Sequence, residues 1–190
     1  GLMHGDIVPA AELQGLGFEA VQVFFGSGAE GDDKDPSVAD ADAILAAGST
    51  ALAAMTLHVD LVHGSGAVAA DVERAIRCVH KTAALDGRFG DSARPILVWH
   101  PSGYPQDGVD DGAVFAGLCE ALTAVCGAAE TAGVQVAVEI TRAGSVGSAE
   151  AFVRLQDHVA SPALKVCLDA ANFCPDRTPL ERTVRMLGPD

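Results

Sequence analysis

Basic residues are scarce in this chain: 12 Lys and Arg stand against 26 Asp and Glu, for a formal net charge of −14. Nucleic-acid affinity rests heavily on cations that neutralise the phosphate backbone, so this balance argues against a large phosphate-binding surface and leaves open only a local basic patch. The longest apolar runs stay well short of the ~20 residues a membrane span needs, so the chain reads as a soluble globular protein with no membrane partner. No secretory signal precedes the first periodic segment, which points to the cytoplasm. C-x-x-C spacing is absent among Cys78, Cys119, Cys126, Cys167 and Cys174. Their odd number and apolar settings read as small buried hydrophobes in a reducing compartment, not as a disulfide framework or a thiolate metal site. Neither G-x-G-x-x-G nor a P-loop follows any strand-like run, and the short Gly26-Ser27-Gly28 lacks the rest of either fingerprint. An initiator Met is missing too: Gly1 opens directly in a strand-like segment, so natural sequence is expected upstream.

What is present is an alternation. The chain has 190 residues, 49% of them apolar, enough for one domain with a substantial core. Short apolar, β-branched runs predict strands at Gly1 to His4 (truncated), Ala20 to Phe25, Ala53 to Val59, Pro95 to His100, Val134 to Ile140 and Leu164 to Phe173. Helical spacing marks Pro9 to Leu16, Ser37 to Ala47, Ala67 to Leu85, Ala113 to Ala132, Ser148 to Val159 and Thr178 to Leu187. Gly17, Gly48 and Gly133 act as stops, and Ser148 is the expected N-cap of its helix. Polar loops, Gly26 to Pro36 and Pro101 to Gly112, follow two of the strands.

Regular β-α alternation leaves two architectures, a closed (β/α)₈ barrel or an open doubly wound sheet. His58, His100, Glu139 and Asp169 all fall at the carboxyl ends of successive strands, where barrels keep their catalytic groups. A doubly wound sheet concentrates its site at one switch point. The expected fold is therefore α/β, a (β/α)₈ TIM barrel, with residues 1–190 forming a single domain that covers about the first six strands and is incomplete at both ends. A full barrel needs about 250 residues.

Carboxylates at strand ends have no core to pack. Neighbouring parallel strands lie roughly 4.8 Å apart, so Glu139 and Asp169 are expected side by side, repelling one another unless a cation or a shared proton lies between them. The donor pair suits Mn²⁺, Mg²⁺ or Co²⁺, and imidazole ligands would widen the choice to Zn²⁺. The bland alternative is a rim salt-bridge network with Arg142 or Lys165. His58 and His100 are expected to line the same pocket. Asn172, three residues after Asp169, either binds or orients a group there or simply closes a turn. Gln22 is expected to reach the pocket from an early strand, and Trp99 to supply an apolar wall, although core packing is the usual fate of such aromatics.

Taken together, GLGFEAVQVFF, LVWHPSG, VQVAVEI and SPALKVCLDAANF resemble, in order and spacing, the strands of the xylose isomerase-like TIM barrel superfamily. That superfamily includes sugar-phosphate isomerases, ketose 3-epimerases and metal-dependent apurinic endonucleases. The resemblance implies that Glu139 and Asp169 are metal ligands and that a His and a second Glu from the last two strands complete the set. It implies an isomerase or epimerase acting on a sugar or sugar phosphate, in which the metal polarises a carbonyl and Glu139 moves a proton through an enediolate. It leaves a possible homo-oligomer open. Many relatives carry His where this chain has Asn172, a departure both from the epimerases of best-known type and from the multi-zinc endonuclease pattern. The alternatives are a zinc-dependent apurinic endonuclease-like phosphodiesterase and a non-catalytic sugar-binding barrel.

Overall fold

The computed structural model describes residues 15–25, 51–64, 66–90, 94–101, 110–141, 146–172 and 180–188. In chain order these form β1 (Ala20–Phe24), β2 (Ala51–His58), a small hairpin of β3 (Val62–His63) and β4 (Gly66–Ala67), and α1 (Ala69–Ala83). A 3₁₀ turn (Asp86–Arg88), β5 (Ile96–His100), α2 (Asp111–Ala132), β6 (Gln135–Glu139), α3 (Ala149–Val159), β7 (Leu164–Cys167) and α4 (Leu180–Leu187) follow.

Strands β1, β2, β5, β6 and β7 make one sheet in that order, each parallel to its neighbour. Strands are thus added along the chain in one direction, with no reversal among the described residues. A doubly wound sheet reverses its order at a switch point; the wall of a barrel does not.

The two faces of this sheet differ in chemistry because successive side chains point to opposite sides of a strand. Leu52, Met55, Leu57, Leu97, Trp99, Val136, Val138 and Leu164 join one large core. From the helices, Cys78 and Val79 of α1, Leu118, Leu122 and Val125 of α2, and Phe152 and Leu155 of α3 complete it. The opposite face carries a separate small cluster of Ala54, Val98 and Ala137, with Ile96 and Cys167 beside it. Small side chains there suit the crowded inside of a curved wall.

Local signals place the helix ends. Asp110 caps α2, its carboxylate accepting from Gly112 N at 3.1 Å, and Ser148 caps α3, its hydroxyl accepting from Ala151 N at 3.1 Å. Gly133 ends α2 with φ of 73°, a left-handed conformation that glycine adopts without a Cβ clash. By length and composition α2 could cross a membrane. Here its Leu118, Leu122, Val125 and Cys126 are buried in the core.

Several sequence expectations shift. The helix expected from Ala67 begins at Ala69, because Gly66 and Ala67 pair with Val62 and His63 in a hairpin that apolar periodicity did not reveal. The strand expected to run to Phe173 ends at Cys167, and residues 170–172 form a 3₁₀ turn. Asp169 makes that turn: its carboxylate accepts from Ala171 N at 2.9 Å and its carbonyl from Asn172 N at 3.1 Å, a side-chain-to-backbone competition typical of aspartate. The strand expected at Gly1 to His4, the helix at Ser37 to Ala47, and all but the end of the helix at Pro9 to Leu16 lie outside the described residues.

Burial depth predicts the energetic hierarchy. Leu57 is 0% exposed between sheet and helices, whereas Leu180 on α4 is 39% exposed. Leu57→Ala is expected to cost about 2–5 kcal/mol and Leu180→Ala less than about 1 kcal/mol, read from urea unfolding midpoints at constant m. Equal losses would mean that the sheet-helix layer is not the principal core.

Candidate active site

The inner face ends in a row of polar groups. His58 and His100 are register partners at the ends of β2 and β5, with rings stacked at 4.3 Å between centroids and 4° between planes. Phe24 of β1 leans on His58 at 5.5 Å and 55°, and is 42% exposed. On the next strand, Glu139 Oε1 lies 3.7 Å from His100 Nε2. Beyond it, Cys167 of β7 pairs with Glu139 in register, and Asp169 follows two residues on. Four adjacent strands and the turn after β7 therefore bring Phe24, His58, His100, Glu139 and Asp169 to one rim.

The electrostatics of Glu139 follow from that setting. Burial pushes its carboxyl above the ordinary glutamate range; His100 pulls it back, Asp169 pushes it up, and a hydrogen bond from Asn172 lowers it again. Proximity to both carboxylates and burial also act on Cys167, whose thiol is pushed up to about 11, burial being the larger cause. It is an inert thiol at neutral pH. His100 Nδ1 is buried with no hydrogen-bond partner among the described residues.

Asn172 bonds to both the turn and the neighbouring strand. Its backbone closes the turn on Asp169, and its amide donates to the Ile140 carbonyl at 3.0 Å while also reaching Glu139. It ties the end of β7 to the end of β6. Gln22 lies on the same face: its amide donates to the hydroxyl of Thr56, a residue 1% exposed. Sequence reasoning passed over Thr56, though it sits two residues before His58 and so on the same side of β2.

Trp99 requires a correction. It was expected as an apolar pocket wall, but it is 3% exposed in the helix-side core and its indole N–H donates to the Val59 carbonyl at 2.9 Å. The cause is strand alternation: a residue adjacent to His100 must face the other way.

Glu139 and Asp169 offer two oxygen donors whose mutual repulsion a divalent cation would relieve, which fits the hard or borderline ion expected from the sequence. Among the described residues no group of three or more His, Cys, Asp or Glu is arranged to hold a metal.

Parallel strands added in chain order, with helices on one face and polar groups gathered at the carboxyl rim of the other, define the barrel class of α/β proteins. The chain belongs to the xylose isomerase-like TIM barrel family, whose sequence profile matches residues 10–189. Among solved structures it is similar to a D-psicose 3-epimerase in the presence of D-fructose, with TM-score 0.71 and 19% identity over 94% of this chain and 63% of that one. It is also similar to an L-ribulose 3-epimerase, with TM-score 0.65 and 17% identity over 95% of this chain and 60% of that one. A xylose isomerase-like TIM barrel protein from Mycobacterium smegmatis in complex with magnesium matches at TM-score 0.56 and 18% identity, over 84% of this chain and 54% of that one. The chain thus spans less than two thirds of the length of each of these structures. Comparison with curated proteins finds no match.

Since burial favours the protonated form of Glu139, ionising it opposes folding. Its folded-state pKa lies above the unfolded one, so its contribution is fully present below the unfolded pKa and is lost as pH rises through the folded value. Glu139→Gln is therefore expected to raise the Tm by about 1–4 °C near pH 7, with the gain shrinking as pH falls into the carboxylate range. Calorimetry across pH 4 to 8 checks it; a variant less stable than wild type at pH 7 would contradict the assignment of burial as the dominant effect.

Proposed function

We propose that this protein is a metal-dependent isomerase or epimerase of a ketose or its phosphate, working by proton abstraction next to a carbonyl. The observation that carries the reading is Glu139: a rim carboxylate with raised proton affinity, next to a second carboxylate and an imidazole, in a fold whose solved relatives include sugar 3-epimerases. A raised carboxylate is closer to the pH at which it must work as a base, which improves its range for both taking and returning a proton. Membership of the family and the sugars named with the similar structures support the substrate class.

In this reading Glu139 and Asp169 hold a divalent cation, Mn²⁺, Mg²⁺, Co²⁺ or Zn²⁺, with further donors outside the pair. When bound, the cation supplies Lewis-acid polarisation of the substrate carbonyl and its neighbouring hydroxyl. Glu139 takes the proton from the carbon between them, and the bond's electron pair moves toward the carbonyl oxygen to give the substrate's enediolate. Return of a proton to the opposite face yields the epimer; return to the neighbouring carbon yields the isomer. His100, beside Glu139, and His58, stacked on it, bind substrate hydroxyls or pass protons between them. Asn172 steadies Glu139 and Asp169 against each other, and Gln22 acts on the site through Thr56. The described cysteines, Cys78, Cys119, Cys126 and Cys167, form no disulfide among the described residues, which suits work in the cytoplasm.

A zinc-dependent apurinic endonuclease-like activity draws less support. The His58 and His100 rings are parallel, so their in-plane nitrogen lone pairs run side by side instead of converging on one ion. The net charge of −14 also repels a nucleic-acid backbone.

The deciding experiment supplies the full chain with each metal in turn and assays ketose turnover, metal content and cleavage of abasic DNA. Ketose epimerisation or isomerisation is expected with Mn²⁺, Co²⁺ or Mg²⁺. Asp169→Asn is expected to lose bound metal, and Glu139→Gln to lower kcat by about 10²–10⁴-fold. Zinc-dependent DNA cleavage without ketose turnover would replace this reading with the phosphodiesterase, and sugar binding without turnover would leave a binding barrel.

A further inference from the structure

Two buried side-chain atoms lack a hydrogen-bond partner among the described residues, His100 Nδ1 and Thr141 Oγ1. The first belongs to the cluster already described. Thr141 does not: it lies two residues beyond Glu139, past the end of β6, and no step above uses it.

Its placement follows from the backbone. Ile140, between Glu139 and Thr141, is 1% exposed and packs in the helix-side core. Ile140 N donates to the Cys167 carbonyl at 3.3 Å, continuing the pairing of β6 with β7 for one more residue. Alternation then returns the Thr141 side chain to the face that carries Glu139. The backbone there is held, since Thr141 N donates to the Val146 carbonyl at 3.2 Å.

Thr141 is 8% exposed, and a hydroxyl at that depth ordinarily finds a partner. Other buried threonines do so: Thr82 Oγ1 donates to the Cys78 carbonyl at 2.8 Å, and the Thr56 hydroxyl accepts from Gln22. A valine of similar shape would fill the same space at Thr141 with no polar atom to satisfy. A buried hydroxyl kept without a protein partner, on the base's own face, is the signature of a group reserved for a ligand. A hydroxyl can both donate and accept, which matches a polyhydroxylated molecule better than a carboxylate or a phosphate, for which a cation would be the natural partner.

We propose that Thr141 is a substrate-binding residue that hydrogen-bonds a hydroxyl of the ketose close to the carbon on which Glu139 acts, and so helps select the sugar. The proposal rests on the ketose reading above. A site built around such a hydrogen bond discriminates most strongly against analogues that lack the matching hydroxyl, because the protein group is then left buried and unpaired.

The test uses the full chain and the variants Thr141→Val and Thr141→Ser, with D-fructose as the probe. Tm is measured without sugar, and KM and kcat with sugar and Mn²⁺. Thr141→Val is expected to keep or raise the sugar-free Tm, since an unsatisfied hydroxyl is removed, while KM rises roughly 10-fold or more and kcat changes less. Thr141→Ser is expected to stay within about 3-fold of wild type in KM, because it retains the hydroxyl. A Tm that falls by several degrees in Thr141→Val would show that the hydroxyl serves the fold, overturning the proposal. Unchanged Tm and unchanged KM in the same variant would overturn it too, while leaving the ketose reading in place. A wild-type protein that neither binds nor turns over D-fructose would instead remove the ketose reading, and the role of Thr141 with it.

Discussion

The packing of the strands' outer face against the helices is the constraint on which everything else in this structure depends. Leu57, Trp99, Val136 and Val138 are held in one dry layer with Val79, Leu122 and Leu155. Because side chains alternate with a period of two, committing these residues to the helix side commits His58, His100 and Glu139 to the other. A slip of one residue in β5 would turn His100 toward the helix layer and Trp99 away from it. The free energy of the apolar layer, of order 1.5–3 kcal/mol for each fully buried large side chain, therefore enforces the geometry of the polar rim.

Within the rim, geometry comes from neighbours and not from any single motif. Glu139 is flanked by His100 from β5 and by Asp169 and Asn172 from the segment after β7. None of these is within 29 residues of Glu139 in the chain. The carboxylate that such a setting raises is poorly suited to stability and well suited to proton transfer, a compromise common at functional sites. Asp169 carries a further task, since it shapes the 3₁₀ turn that brings the Asn172 amide back onto β6. The same residue thus offers charge to the site and builds the local backbone.

Much of this was legible along the chain. The β-α alternation, four strand positions to within a few residues, the caps Ser148 and Gly133, and the strand-end placement of His58, His100 and Glu139 all follow from periodicity and turn chemistry. The hairpin of β3 and β4 was not legible, because two-residue strands carry no period. Trp99 was misplaced because composition marks an aromatic without saying which face it takes. The premature end of β7 was hidden by continuous apolar residues that suit strand and turn alike, and only the capping role of the Asp169 side chain settles the boundary.

What the sequence by itself determined is the architecture and the candidates: local propensity and hydrophobic period are properties of neighbours in the chain, so they can be read in order. Only the tertiary structure decided which candidates meet. The stacking of His58 on His100, the approach of His100 to Glu139, the Asn172 bridge and the stranded hydroxyl of Thr141 depend on the register between strands distant in sequence. That register is chosen by the packing of whole faces, a collective term that no single stretch of the chain contains.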